Sequence, residues 1–73
     1  MSNHVNDLYW DSTYAIAVAL MEQHPRRNLE EIGLLELAEL VVELPGFRDD
    51  PSLFTDQILL DIQTIWYEEA TNL

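Results

Sequence analysis

Carboxylates dominate the side chains able to do chemistry in this sequence. Glu36, Glu39 and Glu43 recur at spacings of three and four, Asp49 and Asp50 stand together before Pro51, and Glu68 and Glu69 close the last apolar run. On a helix those spacings put side chains on one face, so the glutamates form one acidic flank. Carboxylate oxygens bind hard cations such as calcium, magnesium, manganese and iron. They also dock on arginine- and lysine-rich protein surfaces. Asp49, Asp50, Glu39 and Glu43 are the candidates for a weak metal site, although no segment follows the alternating-donor pattern of a calcium loop. Glu36, Glu39, Glu43, Asp49, Asp50, Tyr67, Glu68 and Glu69 are the candidates for a partner-binding surface, with Tyr67 the aromatic of an acidic rim. The bland alternative is a solvated acidic face holding diffuse counterions.

Other chemistries find little support. The chain has no cysteine and no lysine, and Ser2, Ser12 and Ser52 lack a histidine at an informative spacing. Nucleophilic catalysis therefore has no starting material, and no thiolate can hold zinc or an iron–sulfur cluster. His4 and His24 are the only imidazoles and neither belongs to a ligand cluster. The expectation is a non-enzymatic protein with no required cofactor.

The charge balance sets the class of partner. Fourteen acids stand against three arginines, for a net charge of -11. Such a chain repels nucleic acid and anionic membranes, attracts basic protein surfaces, and resists casual self-association, so a monomer is expected. Disorder is not expected, because 48% of the residues are hydrophobic and acidic disordered segments lack that content. The N-terminus has no basic region followed by an apolar one, and the run from Ala15 to Met21 is far short of the roughly 20 residues of a membrane span. A cytoplasmic location is expected.

These side chains need elements to position them. Residues 1–7 read as a frayed tail and 8–73 as one domain. Asp11 or Ser12 is placed to cap a helix over Thr13–Gln23, with Ile16, Leu20 and one of Tyr14 or Met21 facing the core and alanines allowing close approach. Pro25 stops it. Asn28 and Glu31 have capping-box spacing for a short turn over Leu29–Ile32. After Gly33, a helix over Leu34–Leu44 lines up Leu37, Leu40, Val41 and Leu44. Pro45-Gly46 ends it. Phe47 reads as an anchor, Trp10 as a cover over the outside of the core, and Asp50-Pro51 as the start of a last helix reaching Ala70. Ile58, Leu59, Ile62, Ile65 and Trp66 form that helix's apolar stripe. The fold class is all-α, a compact three- to four-helix domain with a helix-turn-helix-like arrangement. A DNA-binding use is excluded by a middle helix bearing glutamates and no base.

Trp10, Ile16, Ala19-Leu20, Pro25, Phe47, Asp49-Asp50-Pro51, Ile58-Leu59, Ile62, Trp66 and Glu68-Glu69-Ala70 follow one another in an order and spacing that resembles the IscX family. "LPGFRDDP" followed by "ILLDIQTIWYEEA" is the most specific piece. The family comprises small acidic proteins of bacterial iron–sulfur cluster assembly. The resemblance implies a modified winged-helix fold that is essentially helical. It also implies binding to the cysteine desulfurase at the basic surface frataxin uses, and weak binding of ferrous or ferric iron. The matching acids are Glu43, Asp49, Asp50, Glu68 and Glu69. The chain departs from the family pattern at Ser12, at Arg26-Arg27 and in the Ala38–Val42 segment. The alternative is an acidic protein–protein interaction module of an unrelated pathway with no specific metal site.

Overall fold

The computed structural model describes residues 7–71, so the expected tail lies, Asp7 apart, outside the described residues. Its order is α1 (Thr13–Gln23), a 3-10 turn (Leu29–Glu31), α2 (Leu34–Val42) and α3 (Asp56–Thr71). The domain is therefore all-α. Among the described residues there is no strand, only an isolated parallel bridge between Leu8 and Phe47.

The apolar positions account for the packing. Ile16, Ala17 and Leu20 of α1 meet Leu59, Ile62 and Trp66 of α3, and α1 packs most extensively on α3. Ala17 lets the two helices approach closely. Leu37, Ala38, Leu40 and Val41 of α2, with Ile32 and Leu44, complete the core. No polar or charged residue is buried among those described, so every described acid keeps contact with water. Tyr14 is not a core residue. It is 58% exposed, because α1 turns the opposite face to α3.

Trp10 also departs from expectation. It lies inside the core, 2% exposed, and packs edge-on against Phe47 with ring centroids 5.1 Å apart. Phe54 lies on its other contact at 5.5 Å. Edge-to-face and tilted aromatic pairs at such distances are favourable. Leu8 is held by the loop after α2: its N–H donates to the Gly46 carbonyl at 2.8 Å, and its carbonyl accepts from the Arg48 N–H at 2.9 Å. That loop begins with a tight turn in which the Phe47 N–H donates to the Leu44 carbonyl at 3.1 Å. Pro45 and Gly46 occupy its centre, and Gly46 has φ of 91°, the left-handed value a type II turn requires of its third residue.

The helix starts correct the sequence reading in three places. Ser12 occupies the first cap position, but its side chain makes no cap bond. Asn28 accepts from the Glu30 N–H at 3.0 Å rather than closing a box with Glu31, since a tight 3-10 turn brings the nearer amide to the side chain. The last helix starts at Asp56, not at Pro51. Thr55 caps it, its hydroxyl accepting from the Ile58 N–H at 3.2 Å. With the helix starting later, Phe54 is free to pack half-buried against the core beside Trp10.

Candidate docking surface

Asp49 is half-buried where the segment before α1 meets the segment between α2 and α3. One carboxylate oxygen accepts from the Trp10 N–H at 2.9 Å and the other from the Asp50 N–H at 2.8 Å. The Trp10 indole N–H donates to the Asp50 carbonyl at 2.7 Å. These bonds satisfy groups that burial of Trp10 would otherwise strand. Asp50 itself closes a turn: one oxygen accepts from both the Ser52 N–H at 2.9 Å and the Ser52 hydroxyl at 2.8 Å. Those two bonds, backbone first, hold its carboxyl below the usual carboxylate range. Capping the last helix was the sequence expectation for Asp50; capping a local turn is what it does.

Glu36 and Glu39 are exposed on α2, and Glu43 is exposed at its C-cap, since the helix ends at Val42 rather than at Leu44. They are not equivalent. Glu36 pairs with Arg27, two residues nine apart that the 3-10 turn folds together. Both side chains are more than a third exposed, so the pair contributes little stability, but it cancels one negative charge. Among the described residues Glu39 and Glu43 have no basic partner. They stand on the rim of a groove of about 390 Å³ whose walls are Leu35, Ala38 and Val42 of α2 with Pro51 and Phe54. The middle helix and the segment after Asp49-Asp50 are thus one surface.

Tyr67 and Glu68 lie elsewhere. They line a separate depression with Leu29, Glu30, Gln63 and Thr64. Tyr67 is exposed as predicted, and Glu69 is half-buried. Sequence reasoning missed Thr55, although a threonine before an acid and an apolar run is a start signal. It also missed the Arg27–Glu36 pair, for which sequence offered no signal. Among the described residues no three acids or histidines converge as a metal site, and Asp49 and Asp50 each have an oxygen engaged by N–H groups.

The sequence profile of the family described as iron-sulphur cluster assembly matches residues 8–71. The chain belongs to this family, IscX. It is also similar to an uncharacterized protein of Pseudomonas aeruginosa, 37% identical over 62 residues, which covers 85% of this chain and 94% of that protein. As an IscX-family protein the chain serves iron–sulfur cluster assembly as a non-enzymatic adaptor. Among the described residues no helix is long and apolar enough to cross a membrane.

Proposed function

We propose that this IscX-family chain acts in the cytoplasm as a monomer that docks on the basic surface of the cysteine desulfurase and regulates cluster assembly there. The observation that carries this reading is the pair Glu39 and Glu43, exposed beside the Asp49–Pro51 turn with no basic partner among the described residues. Opposite charge steers the encounter and fixes its register, and both effects fall with salt. Asp49 and Asp50 contribute through their charge and by shaping the turn. Tyr67, Glu68 and Glu69 supply a second acidic contact. Glu36 contributes less, because Arg27 shares its charge.

Iron association in this reading is weak and occurs at exposed carboxylates such as Glu39 and Glu43. Asp49 and Asp50 do not fit a closed iron site, because their oxygens already accept backbone N–H groups. We also read the order α1, 3-10 turn, α2 as the helical half of a modified winged-helix, with the Leu8–Phe47 bridge as its reduced sheet.

The test is a titration of purified desulfurase at low and physiological salt. We expect binding that weakens as salt rises, and a loss of about tenfold on replacing both Glu39→Gln and Glu43→Gln. No binding at either salt rejects the reading. Anaerobic calorimetry with ferrous iron checks the metal side, for which only weak binding, reduced by the same pair of substitutions, is expected.

A further inference from the structure

The groove between α2 and the turn before α3 has an apolar floor under its acidic rim. Leu35, Ala38 and Val42 follow one another at i, i+3 and i+7 along one flank of α2. Leu35 is 72% exposed, the most exposed of the large hydrophobic residues described. Pro51 and Phe54 form the facing wall. Among the described residues, Glu39 and Glu43, one helical turn apart, are the only charged ones lining the groove. An apolar trough bounded by acids and by no base is complementary to one kind of segment, which carries an apolar side chain between arginines or lysines.

We infer that this groove seats a helical partner segment in which one leucine-like side chain fills the space between Leu35, Val42 and Phe54, while flanking basic side chains meet Glu39 and Glu43. The inference rests on the proposed docking reading and adds its anchor. Charge alone gives steering and register, whereas a seated apolar side chain slows dissociation. The arrangement also separates partners. A basic surface with no apolar centre meets the rim and leaves Leu35 wet, and an apolar segment with acidic flanks is repelled. Leu35 is not one of the buried core residues, so it can be truncated without opening a core cavity.

The probe is a short helical peptide with one leucine flanked by arginines, and its twin in which alanine replaces that leucine. Each is titrated into the full chain and followed by amide chemical shifts. We expect the leucine peptide to bind about tenfold more tightly than its twin, with the largest shifts around Leu35, Val42 and Phe54. The preference should vanish in Leu35→Ala while the fold, followed by circular dichroism, is unchanged. In Glu39→Gln/Glu43→Gln both peptides should weaken together. Equal binding of the two peptides, no binding of either, or a preference that survives Leu35→Ala each overturns the inference. Because no desulfurase enters this experiment, failure of the groove and failure of desulfurase docking are read separately.

Discussion

Asp49 and Asp50 are adjacent and identical in chemistry, yet they do different work. Asp49 joins two distant parts of the chain by accepting the Trp10 N–H, while Asp50 organises only its own turn through Ser52. Asp49→Ala should cost about 1–3 kcal/mol, because a half-buried N–H loses a charged acceptor. Asp49→Asn, which keeps an acceptor oxygen, should cost less, and urea denaturation of both variants checks this order. Asp50 makes a pH prediction. Its folded carboxyl titrates below the ordinary value, so its contribution is present above that ordinary value and is lost as pH falls through the lowered one. The difference in melting temperature between the parent and Asp50→Asn should therefore be largest near neutrality and shrink on acidification to about pH 3. A gap that widens in acid would contradict the Ser52 assignment. The adjacency of these acids was legible in the sequence. Their division of labour was not, because it depends on Trp10, 39 residues away.

At the scale of the element, helix starts separate what pattern can and cannot reveal. Thr13–Gln23 is bounded as its composition suggested, and of the apolar stripe on α3 Leu59, Ile62 and Trp66 are buried while Ile58 and Ile65 are half-buried at its edges. Ser12 and Asp50-Pro51 have the right residue types for caps, but the cap bond belongs to Thr55. Replacing Thr55→Ala should destabilise the domain by about 1 kcal/mol. Ser12→Ala, whose side chain makes no cap bond, should stay within about 0.5 kcal/mol. Thermal melts of the two variants check the contrast. Local chemistry offers several competent starts, and the winner is the one that leaves Phe54 free to reach Trp10.

For the whole molecule, the balance of 14 acids against 3 arginines acts on folding as well as on docking. Two of the arginines are already engaged, Arg27 with Glu36 and Arg48 with Asp7, and no described acid is buried. The remaining negative charges repel one another across a small surface. Raising sodium chloride from low to physiological concentration should raise the melting temperature through screening, while weakening the association with a basic partner. Opposite salt responses of folding and binding in one protein distinguish self-repulsion from a general salt effect.

Sequence by itself determined the all-helical class, the faces of α2 and α3 that enter the core, the acidic character of the exposed face and the IscX resemblance. Each follows from residue type and short-range period, which a linear chain displays directly. Only the tertiary structure decided that Trp10 is interior, that Asp49 is a strut and Asp50 a turn cap, that Arg27 neutralises Glu36, and that Glu39 and Glu43 edge an apolar groove. These depend on which distant segments share one small core. The burial of Trp10 against Phe47 and Phe54 sets that arrangement, and it brings the Asp49–Pro51 turn to its place beside α2.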